Sequence, residues 1–193
     1  MNKNIKEFAT MSANHNQTIA LNKLTLAFWS TKSLLMQGLL VIAAVGLPSI
    51  AHLVGAPVRL LLPMHWPILL AGLVFGWRGG LLVGLLAPIC SFAISGYPLP
   101  DILPAMTIEL GGYGILTGFL KEKIHLNNFA SIAIGLLAGR LVFIAAIFAG
   151  FGGATPANSH YFAAAMFPGL IAAVAQIITL PLLADWWIKT ANK

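Results

Sequence analysis

The stretch that decides the fold is Ile68-Leu69-Leu70-Ala71-Gly72-Leu73-Val74-Phe75, followed at once by Gly76-Trp77-Arg78-Gly79-Gly80 and a second apolar run from Leu81. The first run does not alternate apolar with polar residues, so it is no half-exposed strand and no wall of a membrane β-barrel. A membrane core makes each span satisfy its own backbone hydrogen bonds, which a helix does and a lone extended segment does not. Glycines at 76, 79 and 80 make one long straight helix improbable, and the spacing predicts two helices joined by a tight turn.

The rest of the chain repeats this character. Of 193 residues 59% are hydrophobic and 8% charged, against roughly 25% charged in soluble domains. Six apolar blocks follow one another: Leu34 to Val54, Leu60 to Phe75, Leu81 to Ile94, Ile102 to Leu120, Phe129 to Phe151 and Tyr161 to Ile188. At roughly 20 residues per span the expected fold is an all-α membrane protein, a bundle of six transmembrane helices. Residues 1–31 read as a polar cytoplasmic tail and residues 32–193 as the transmembrane substrate-binding domain. The tail carries no cleavage signal of the secretory kind, and a short interfacial helix within it would use Ile19, Leu21, Leu24, Leu26, Phe28 and Trp29.

Charge sets the orientation. With six spans, one side collects Lys3, Lys6, Lys23, Lys32, Arg78, Lys121, Lys123, Lys189 and Lys193, nine of the eleven basic residues. The positive-inside rule makes that side, and both termini, cytoplasmic. The net charge of +6 therefore reads as a topology signal, and no nucleic-acid partner is expected. The single cysteine, Cys90, lies in an apolar run and reads as a packing residue.

Glu109 and Arg140 lie inside the fourth and fifth blocks. Ionisable groups at membrane depth are costly and face a partner or a cavity. A short turn joins the two blocks, so they are antiparallel neighbours, and counting residues from their outer ends places the two side chains within roughly 6 Å in depth. The pair either ties two helices together or builds a ligand pocket, and the two readings can coexist. Tyr113 and Thr117 follow Glu109 at four-residue intervals, which puts a polar stripe on one helix face. The outer loops add Arg59, His65, Trp66 and Asn158, beside several prolines and Tyr97. The aromatics there are either interfacial anchors or a lid over a pocket. Small residues at four-residue spacing, including Gly72/Gly76, Gly80/Gly84, Gly114/Gly118 and Gly135/Gly139, allow close helix approach, within the bundle or against another subunit.

No catalytic constellation is present: there is no G-x-S-x-G, HExxH or Walker A motif. The five histidines are scattered, and neither a metal nor a cofactor is expected.

Taken together, Leu62-Pro63-Met64-His65-Trp66-Pro67 through Gly72, then Gly76-Trp77-Arg78-Gly79-Gly80, Pro88, Gly96-Tyr97-Pro98, Pro104-Ala105-Met106 and Glu109-Leu110-Gly111-Gly112-Tyr113-Gly114 resemble the substrate-binding S components of energy-coupling factor (ECF) transporters. The resemblance is strongest over about residues 60–123, and members with similar segments include the pantothenate and queuosine-precursor types. It implies a multi-pass protein of the cytoplasmic membrane that captures a vitamin or micronutrient precursor from outside. Delivery inward would use a separate transmembrane coupling subunit and two cytosolic ATPases. The expected ligand contacts are Glu109, Tyr113, Arg140, His65, Trp66, Asn158 and Arg59. In place of the family's A-x-x-x-A docking motif the first block offers Ala51 and Gly55, which become the expected docking positions. Met64-His65 is internal, so the free-amine metal site of the nickel and cobalt S components is not expected. The readings from other classes are a membrane-embedded enzyme for a lipid-linked substrate, which five scattered acidic residues do not favour, and a solitary secondary transporter.

Overall fold

The computed structural model describes residues 25–151 and 169–191, apart from the Arg59 side chain. Every regular element among them is a helix: α1 (Thr31–Leu53), the single turn α2 (Val58–Leu61), α3 (His65–Ser95), α4 (Leu103–Glu122), α5 (Asn128–Phe148) and α6 (Gly169–Ala191). The ends follow local chemistry. Ser30 caps α1 by accepting the Ser33 N–H at 3.1 Å, and Asn127 caps α5 by accepting the Ala130 N–H at 2.8 Å. Each satisfies an amide that the helix start leaves unpaired. Pro104 stands in the first turn of α4, where no amide is needed.

The expected turn between the second and third blocks is found inside α3. Gly76 has φ 71° and ψ −169°, a conformation open in practice only to glycine. A Cβ added to Gly79 would lie 3.6 Å from the Ala71 carbonyl oxygen, although eight residues of unbroken helix advance about 12 Å. The chain therefore doubles back at Gly76, and its two arms lie side by side along α4. Glycine lines that contact. A Cβ on Gly72 would stand 2.9 Å from the Gly114 carbonyl oxygen, and one on Gly84 2.6 Å from that of Leu110. Gly80 and Gly114 touch backbone to backbone.

Two expectations need adjusting. Residues Leu60 to Phe75 do not form one helix: α2 closes after one turn at Leu62, which takes a left-handed conformation (φ 44°), and the first arm starts at His65. The count of six spans is not reached among the described residues either. Four helices are long and apolar enough to cross a membrane: α1, the whole of α3, α5 and α6. The polar stripe of α4 lowers its apolarity, and residues 161–168 of the last block lie outside the described residues.

The bundle has an apolar core but, unlike a water-soluble one, an apolar outer surface as well. The first arm of α3 is buried without a break from Pro67 to Gly76. Around it, α1 turns Leu35, Leu39, Ile42 and Ile50 outward and buries Ser33, Gln37 and Ala44. On α6, Ile171, Val174 and Leu182 face out while Gln176 is fully buried. Apolar side chains turned outward, with the few polar ones of these helices turned inward, is the arrangement a lipid solvent favours.

Candidate functional site

Glu109, Tyr113 and Arg140 converge between α4 and α5. Arg140 Nη1 donates to Glu109 Oε1 at 2.9 Å. The Tyr113 hydroxyl donates to the same oxygen at 3.0 Å. The i, i+4 spacing puts Tyr113 over the same helix face as Glu109, and Gly139 opposite leaves room for its ring, since a Cβ there would overlap Tyr113. Glu109 is 4% exposed and Tyr113 1%, so these charge-assisted bonds act with little water around them.

His65, at the start of α3, joins from the other side. Its ring lies 5.1 Å from the Tyr113 ring, tilted by 59°. It is buried, and both ring nitrogens lack a hydrogen-bond partner among the described residues. A buried unpaired polar group costs about 1–3 kcal/mol. His65 also lines a cavity of about 360 Å³, together with Pro48, His52, Leu62, Met64, Ser91, Tyr97 and Met106. A second hollow adjoins it, sharing Pro48, His52, Ser91 and Tyr97 and adding Ser49 and Ser95.

The remaining expected contacts divide. Trp66 spends its indole N–H on the Leu61 carbonyl at 2.9 Å, which ties the start of α3 to α2. Arg59 lies on α2, its side chain outside the described residues, and Asn158 lies outside them altogether. Ala51 is 8% exposed. Gly55 follows the end of α1 at φ 68°, with open space around its Cα.

Thr117, expected on the stripe, is fully buried. The structure extends the series one step further to Lys121, which is 7% exposed. Lys121 reads in the sequence as a topology charge, but it is turned inward. Asp185 Oδ1, on α6, accepts from Asn128 Nδ2 at 2.6 Å. The i+4 rule carried one step further would have found Lys121. Gln176, buried with both amide atoms unpaired among the described residues, was signalled only by being a lone amide in an apolar block.

The model of one protein family, ECF transporter, substrate-specific component, matches residues 30–184. The chain belongs to the substrate-specific components of ECF transporters. This S component is accordingly a transporter subunit rather than an enzyme, and its apolar helices make it a multi-pass membrane protein. The matched span contains every helix described above except the last turns of α6. No curated protein and no solved structure gives a significant match.

Proposed function

We propose that this S component captures a vitamin or micronutrient precursor at the outer side of the cytoplasmic membrane, between the outer loops and the Glu109–Tyr113–Arg140 cluster. Release inward then uses a transmembrane coupling subunit and two cytosolic ATPases. The observation that carries this reading is the buried cluster with His65 beside it: one carboxylate oxygen holding two donors, and an imidazole with two unpaired nitrogens at the wall of a cavity.

Charge narrows the ligand class. Glu109 and Arg140 neutralise one another, so the described part of the site offers no spare charge. That favours a neutral or zwitterionic ligand, such as a queuosine-precursor-like base, over a pantothenate-like anion. An anion would have to break the pair or use Arg59.

Counting the two arms of α3 as separate spans restores six crossings and puts both termini on the side with most basic residues, which the reading takes as cytoplasmic. Docking to the coupling subunit is assigned to Ala51 and Gly55, where Gly55 leaves space for a neighbour.

The test is a thermal-shift screen of purified protein against B vitamins, nucleobases and their precursors. A ligand of the folded state raises stability by mass action. The protein reconstituted alone should bind that ligand without concentrating it. Accumulation driven by a proton or sodium gradient, with no partner present, would make the chain a secondary transporter instead.

A further inference from the structure

At the opposite end of the bundle, α1 begins and α6 ends without packing along one another. Between them lies a cleft of about 690 Å³, within the 300–1,000 Å³ typical of small-ligand sites. Its floor is Phe75, at the reversal of α3, which meets the Trp187 ring edge-on at 6.0 Å. The floor is pinned from below, because the Leu26 N–H donates to the Val74 carbonyl at 2.7 Å. Met36 and Leu183 form apolar walls, and Lys32 stands at the α1 side beside the buried Ser33, whose hydroxyl oxygen accepts from Ser30 Oγ at 2.8 Å and keeps its own proton to donate. Lys32 is exposed and makes no ion pair among the described residues. Trp186 also lines the cleft and is 64% exposed.

We propose that this cleft is a binding site for one anionic phospholipid, whose phosphate meets Lys32 and Ser33 and whose upper acyl chain lies against Met36, Leu183 and Trp187. Three observations point to lipid rather than to a soluble anion. The cleft opens where two membrane-crossing helices reach the bilayer boundary, the depth at which headgroups sit. Its walls below the cation are apolar and aromatic, and a free phosphate has no use for them. Exposed tryptophan at that level is the usual anchor of a membrane–water interface. The end that holds Lys32 also holds the exposed Arg78 and Lys189, neither of them ion-paired among the described residues, so its surroundings attract the anionic lipids of a cytoplasmic leaflet. None of these residues belongs to the proposed ligand site, so this inference stands or falls separately from it.

Brominated acyl chains quench tryptophan on contact, and Trp187 faces the cleft. The full chain is placed in phosphatidylcholine vesicles, and brominated phosphatidylglycerol is titrated in. Quenching should saturate at a low mole fraction of the anionic lipid, with brominated phosphatidylcholine much weaker at the same fraction. Lys32→Gln should raise the half-saturating fraction about fivefold, the loss of one lysine near an anionic surface. Lys123→Gln, at the same end but outside the cleft, should leave it unchanged, and Trp186→Phe with Trp187→Phe should remove the saturable component. Equal quenching by the two lipids, an unshifted Lys32→Gln curve, or displacement by excess glycerol phosphate would overturn the proposal.

Discussion

Arg140 and Tyr113 donate to one and the same oxygen of Glu109, at 2.9 and 3.0 Å, from opposite sides of the α4–α5 contact. Two helices are thus joined through a single atom that no water bathes, because Glu109 is 4% exposed. Removing one member strands the others, and only removing all three does not. Breaking one partner of a buried pair costs about 3–5 kcal/mol, whereas apolar replacement of the whole set is often close to neutral. Arg140→Met alone should therefore lower the melting temperature strongly, and Glu109→Leu with Arg140→Met and Tyr113→Phe should recover most of that loss. Ligand binding should not recover in the triple variant. A triple variant that binds ligand as the parent does would reduce the cluster to a structural tie.

Glu109→Gln keeps the shape and the contact with Tyr113 but removes the charge. Among folded molecules it should weaken ligand binding more than tenfold, about 1.4 kcal/mol. Unchanged affinity by calorimetry would take Glu109 out of the site.

His65→Phe tests the unpaired nitrogens. Phenylalanine preserves the ring contact with Tyr113 and removes two buried polar atoms that bond to nothing described. Stability should hold or rise, while affinity falls about tenfold. A fall in melting temperature without loss of affinity would show that the imidazole serves the fold and not the ligand.

Glycine position should matter more than glycine content. Gly114→Ala would push a methyl group into the Gly80 backbone, and overpacking of this kind costs about 1–3 kcal/mol or more. Gly38 in α1 has open space around it, so Gly38→Ala should gain about 0.5–1 kcal/mol. Equal thermal shifts for the two variants would contradict the close α3–α4 contact.

Orientation can be read chemically. With Cys90 replaced by alanine, a cysteine introduced at Lys123 should resist an impermeant thiol reagent applied to intact cells and react after permeabilisation. Labelling from outside would overturn the placement of the α4–α5 turn in the cytoplasm.

The sequence by itself determined the class of solvent, the helical character and the reversal near Gly76. These depend on composition and local spacing, which short-range physics reads directly. It also put Glu109, Tyr113 and Thr117 on one face through the four-residue rule, and matched the depths of Glu109 and Arg140 by counting along two antiparallel helices. Only the tertiary structure decided that Arg140 and Tyr113 share one oxygen, that His65 closes the cluster from α3, and that Lys121 turns inward. Each of these depends on how helices are rotated about their axes and how near they come. In this bundle the backbone contacts of Gly72, Gly80 and Gly84 with α4 set both. A helical period says which residues share a face. Which face looks inward, and onto what, follows from packing between elements far apart in the chain.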